Sequence, residues 1–165
     1  MFNISPSKVI RGKNVWKDSI SHIKQISSTP LILGKSSATK YIRTKLSNDL
    51  VEHYLKVTSS ELHYDCCEED LNRVEKILKS TNSDSIIAAG GGKVLDAGKL
   101  LADRLSIPCI TIPLSASTCA GWTALSNVYT KEGKFIKDIS LKSCPNLLIF
   151  DHSFIKTAPI KTLAS

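Results

Sequence analysis

The sequence predicts an α/β fold: a parallel sheet with helices on both faces and one small β-hairpin beside it. Three observations predict it. Short apolar runs of strand length alternate with stretches whose apolar residues recur every three or four positions. The triplet Gly90-Gly91-Gly92 falls between one such run and one such stretch. Past residue 126 the alternation gives way once, to two short strips on either side of Gly133. Strands that return across a helix lie parallel, so strand–helix alternation builds a parallel sheet covered on both faces. Sheets of this kind receive ligands beyond the carboxyl ends of their strands.

The elements follow in chain order. Ile20, Ile23 and Ile26 form a stripe, which predicts a helix over 15–26. Pro30-Leu31-Ile32-Leu33 reads as a buried strand ending at Gly34. A helix is predicted over 38–46 and a weak strand over 51–57. Glu68, Glu69 and Asp70 open a helix whose stripe is Leu71, Val74 and Leu78, with Lys76 and Lys79 near its end. That charge order complements the helix dipole. Residues 85–89 form an apolar strand, the glycines break it, and Ala97, Leu101 and Leu105 mark the next helix. Residues 108–112 are a strand, 127–130 and 134–136 a hairpin turning at Gly133, and 147–150 a last buried strand stopped by Asp151.

The chain has 165 residues, of which 42% are hydrophobic, and this fits one domain, 1–165, with a real core. Its net charge is +7, all of it in the first 60 residues, where 10 basic side chains face 3 acidic ones. Lys8, Arg11, Lys13, Lys17 and Lys24 are scattered and are not interleaved with aromatics, so they read as a solvated face and not as a nucleic-acid site. No apolar run approaches the roughly 20 residues of a membrane helix, and the first residues lack the apolar core of a signal peptide. The five cysteines, Cys66, Cys67, Cys109, Cys119 and Cys144, form no CxxC and no zinc spacing. Free thiols in a reducing cytoplasm account for them.

The glycine triplet is the strongest local signal. Three residues without Cβ let backbone approach a ligand, and the helix that follows presents free N–H groups and a positive dipole end. A pyrophosphate suits such a site, and Lys93 adds a charge. A merely tight strand-to-helix turn is the other reading. Neither GxxxxGK[ST] nor GxGxxG can be written here. Asp96 reads either as a capping acid or as a ligand contact, and Gly98 as a point of close packing on the sheet.

Gly90-Gly91-Gly92-Lys93-x-x-Asp96-x-x-Lys99 resembles the GGGKxxDxxK signature of the group containing glycerol dehydrogenase and the iron-containing alcohol dehydrogenases. Further blocks are similar to the same group: Ser5-Pro6 with Gly12-Lys13, the loop Asp65-Cys66-Cys67-Glu68-Glu69, the stretch from Ile110 through Gly133, Pro145-Asn146 and Ala158-Pro159. The resemblance implies a Rossmann-like NAD(P)-binding domain and hydride transfer between NAD or NADP and a small alcohol or aldehyde. It implies that Gly90, Gly91, Gly92, Lys93 and Asp96 line the dinucleotide phosphates. Ser117, Thr118, Thr123, Leu125 and Tyr129 would lie near the nicotinamide end, with the hairpin around Glu132-Gly133 beside the cofactor. A stand-alone, inactive nucleotide-binding module and a lyase of the dehydroquinate synthase kind are the alternatives.

Three departures from the group's pattern shape the expectations. Residues 161–165 resemble a segment that runs on, in the group, into a Gly-x-Gly-Asp stretch and a helical domain with His ligands for zinc or iron. The expectation is therefore a chain truncated just before that metal-binding domain, with no catalytic metal of its own. His22, His53, His63 and His152 match no ligand position. Cys119 stands where glycerol dehydrogenases carry an Asp that contacts the polyol, so a bulkier or less polar substrate is expected. Lys35 stands where the NAD-dependent members carry an Asp on the adenosine ribose, and a cation there welcomes a 2′-phosphate. An apolar wall left uncovered by the helical domain predicts a homo-oligomer.

Overall fold

The structure, a computed structural model, describes residues 5–156. Strands β1 (Lys8–Gly12), β2 (Pro30–Gly34), β3 (Thr58–Glu61), β4 (Ser85–Gly90), β5 (Cys109–Pro113) and β8 (Leu147–Asp151) make one six-stranded sheet in the order β1-β8-β5-β4-β2-β3. Every neighbouring pair is parallel. Strands β6 (Leu125–Tyr129) and β7 (Phe135–Ser140) form a separate antiparallel hairpin. The helices are α1 (Trp16–Ile26), α2 (Lys40–Glu52), α3 (Glu68–Ser80), α4 (Gly92–Leu105) and the short α5 (His152–Lys156).

Strand periodicity divides the core in two. On β2, Leu31 and Leu33 face one side and Ile32 the other. Ile32 joins Ile87 and Ile110 under the α1 and α2 stripes of Ile20, Ile23, Ile42 and Leu46. Leu31 and Leu33 join Ile86 and Ala88 under Leu71, Val74, Leu95 and Leu101 of α3 and α4. Strands β2, β4 and β5 are buried along their whole length because both faces are covered. Helix α4 packs tightly on the sheet: a Cβ on Gly98 would fall 2.4 Å from the Ala88 Cβ, which is the close packing expected of that glycine.

Two readings of the sequence change. The strand expected over 51–57 is not there. Helix α2 continues through Leu50, which extends the Ile42–Leu46 stripe by one turn, and ends at Glu52. The chain reverses at Tyr54, at φ 68°, and the strand starts only at Thr58. Strand β1 has no counterpart in the sequence reading. Both β1 and β3 are sheet edges and carry exposed polar residues, so neither shows an apolar run.

Three aspartates fasten the connections. Asp70 accepts the backbone N–H groups of His63 and Tyr64 and pairs with Arg73 at 2.7 Å. Asp84 accepts from Ser27, Ser28 and Thr29 at the entry to β2. Asp151 ends β8 and accepts the N–H groups of Asn14, Trp16 and Ser153, which joins the start of α1 to α5. Burial opposes each charge, yet the donors outweigh it and hold all three carboxyls below the ordinary 3.8. A depressed acid stabilises the fold above its unfolded pKa, and that contribution is lost as pH falls through the folded value. Thermal melts followed by circular dichroism are therefore expected to be level above about pH 5 and to drop steadily below about pH 4. Asp84→Asn should lower the neutral melting temperature and flatten that acid limb. An unchanged limb in the variant would remove Asp84 from the account.

Candidate functional site

The carboxyl ends of β2, β4 and β5 meet at one cavity of about 290 Å³. Its floor is the glycine turn between β4 and α4. The Gly90 carbonyl accepts from Leu114 N–H at 3.0 Å, and the Gly91 carbonyl accepts from Val94 and Leu95 at 3.0 and 3.1 Å, which starts the helix. The three glycines differ in what encloses them. A Cβ on Gly90 would meet Val94 at 2.8 Å, and one on Gly92 would meet Thr118 Oγ1 at 3.0 Å. A Cβ on Gly91 would meet nothing within 4 Å, and its φ of −81° suits any residue. Helix α4 has no acid in its first turn and no side-chain cap at Gly91, whereas α3 carries Glu68, Glu69 and Asp70. The positive end of α4 thus faces the cavity without a compensating acid of its own.

Two cations flank the glycines. Lys35 follows β2 and Lys93 opens α4, and each donates to Asp65, at 2.6 Å to Oδ1 and 2.6 Å to Oδ2 respectively. Lys93 also lies 4.7 Å from the centre of the Tyr129 ring. The hairpin turn is close by: a Cβ on Gly133 (φ 85°) would sit 3.6 Å from Asp65 Oδ2. Burial opposes the Asp65 charge, but the hydrogen bonds from Lys35 and Lys93 hold its carboxyl below the usual range. The sequence reading passed over Asp65 as a site residue. Its only signal was membership of the loop that resembles the family's.

The remaining expected residues fall in two other places. Asp96 is not on the cavity wall. It is buried against Lys99 at 3.2 Å and accepts the Asn127 N–H; burial pushes its carboxyl up, against the pull of Lys99. The Thr123 carbonyl and hydroxyl and the Leu125 carbonyl accept from Lys99 Nζ, so these polar groups serve the attachment of the hairpin. Ser117, Thr118 and exposed Cys119 line a wider, open cleft with Arg11, Trp122 and Phe150. The cleft adjoins the cavity: Thr118 leans on Gly92, and Ser117 Oγ lies 2.8 Å from Ser115 Oγ on the cavity wall. Burial pushes the Cys66 and Cys109 thiols up to about 12. Among the described residues no group of three or more His, Cys, Asp and Glu side chains could hold a metal ion. Among them, too, no helix is long and apolar enough to cross a membrane.

A parallel sheet wound on both faces, with an open glycine turn after a central strand, defines a class of α/β domains that take ligands at their carboxyl edge. Within that class, the chain belongs to the iron-containing alcohol dehydrogenase family, whose model matches residues 6–152. It is 34% identical over 162 residues to an uncharacterized oxidoreductase of Synechocystis sp., covering 98% of this chain and 42% of that protein. It is 29% identical over 161 residues to glycerol dehydrogenase of Escherichia coli, covering 98% and 44%. The crystal structure of glycerol dehydrogenase from Schizosaccharomyces pombe matches with a TM-score of 0.85 at 26% identity, over 98% of this chain and 41% of that one. The chain thus spans less than half the length of these relatives.

Proposed function

We propose that residues 1–165 are the dinucleotide-binding domain of an alcohol or polyol dehydrogenase. Gly91 carries this reading. Nothing among the described residues needs a missing side chain at that position, whereas a phosphate laid on the α4 N-terminus does. Lys93 and Gly92 supply charge and close backbone at the pyrophosphate. Ser117 and Thr118 point the dinucleotide toward the open cleft, where Cys119 leaves room for an alcohol or aldehyde less polar than glycerol. A nicotinamide, when bound, takes or gives the hydride. The divalent zinc or iron that the family implies has no ligand set among the described residues. The free cysteines support a reducing, cytoplasmic setting, and exposed Phe135 and Ile136 on β7 support self-association.

Lys35 at the end of β2 supports NADP over NAD. Titration of NADH and NADPH against tryptophan fluorescence tests both parts. Saturable binding of either is expected, with NADPH at least as tight as NADH. Absence of binding by both removes the dinucleotide reading. NADH binding about tenfold tighter, a difference of about 1.4 kcal/mol, removes the NADP preference alone.

A further inference from the structure

We infer that Asp65 is a coenzyme-selecting residue, the acid that sets how strongly this pocket favours a dinucleotide with a 2′-phosphate over one without. The inference rests on the dinucleotide reading above. Lys35 and Lys93 come from different elements, the end of β2 and the start of α4. One carboxylate from the β3–α3 loop joins them, each oxygen holding one ammonium at 2.6 Å. All three line the cavity with the glycine turn. Asp65 is held in place: its side chain is 12% exposed, whereas the lysines are 37% and 44% exposed.

The chemistry follows from that placement. A carboxylate seated between two ammonium groups occupies the place a phosphoryl group would take between the same two cations. A dinucleotide that ends in a plain ribose leaves the pair intact, and Asp65 accepts from a ribose hydroxyl while Lys35 stays neutralised. A 2′-phosphate must draw Lys35 away from Asp65 and endure the carboxylate beside it. Lys35 and Asp65 therefore act in opposite directions at one place. The acid that many dinucleotide sites carry at the end of the second strand is here supplied from across the pocket. A cation at position 35 alone would give strong 2′-phosphate preference, and Asp65 tempers it.

Asp65→Asn keeps the shape and one acceptor and removes the charge. In the purified protein the ratio of NADH to NADPH dissociation constants is expected to rise about tenfold, mainly through tighter NADPH. Lys35→Gln, which leaves Asp65 on Lys93 alone, should move the ratio about fivefold or more the other way. A ratio within about twofold of the unaltered protein in Asp65→Asn, or a shift toward NADH, overturns the assignment. If Asp65→Asn does not give a cooperative melt, Lys35→Gln decides: an unchanged ratio overturns it equally. Unaltered protein that binds neither coenzyme overturns the dinucleotide reading together with this one, whereas binding with unmoved ratios overturns this one alone.

Discussion

Lys99→Met is expected to destabilise the protein by about 3–5 kcal/mol, the cost of leaving one member of a buried ion pair alone. Lys99 is 2% exposed and lies in the middle of α4. Its ammonium donates to the Thr123 carbonyl at 3.2 Å, the Thr123 hydroxyl at 3.3 Å and the Leu125 carbonyl, and pairs with Asp96 at 3.2 Å. One cation thus fastens the start of the hairpin to the helix. Ser126 Oγ, donating to the Asp96 carbonyl at 3.0 Å, is the second tie. Methionine fills the space but leaves Asp96, 5% exposed, with the Asn127 N–H as its remaining support. Urea unfolding should show the loss as a lower midpoint, and a melt should fall by roughly 10 °C. Replacing Asp96 by Leu in the same chain should recover at least about 1 kcal/mol, since no buried charge is then left unpaired. A single variant that loses less than about 1 kcal/mol would show that Lys99 is not the fastening.

That contact also marks how far the sequence could be read. β2, β4, β5 and β8 were legible because strands covered on both faces are continuous apolar runs. β1 and β3 were not, because an edge strand such as Thr58–Glu61 has no apolar face to announce it. The end of α2 was misplaced because Val51, 54% exposed, looks like strand material while the buried Leu50 beside it continues the helical stripe. At the site, the glycines were legible as open backbone, but their different surroundings depend on Val94 and on distant Thr118. Of the acids in the motifs, the residues alone left Asp96 as a capping acid or a ligand contact, and only the resemblance implied a place for it at the phosphates. The structure gives Asp96 to Lys99, an i,i+3 pair that helical spacing alone contains, and puts Asp65 on the cavity wall. The Lys35–Asp65–Lys93 bridge joins three elements, and no local pattern encodes a contact of that kind.

Gly91→Thr is expected to separate binding from stability. Threonine is an accepted N-cap, the backbone there is extended with φ −81° and ψ −178°, and the new Cβ touches nothing within 4 Å. Stability should therefore stay within about 0.5 kcal/mol, or rise slightly through the cap. Binding should not survive so well. The side chain would stand in the cavity over the first N–H groups of α4, where charge-assisted hydrogen bonds to a phosphate are worth about 1.5–3 kcal/mol each. Losing one or two of them weakens NADH and NADPH alike by roughly 10- to 100-fold. Gly90→Thr gives the contrast, because its Cβ would meet Val94 at 2.8 Å and the fold itself would be strained. Parallel melts and fluorescence titrations read both effects. If Gly91→Thr melts several degrees lower, the glycine serves the turn. If it melts normally and binds normally, the cavity over α4 is not where the phosphates lie. A normal melt with binding lost is the outcome that a phosphate seated on the open glycine requires.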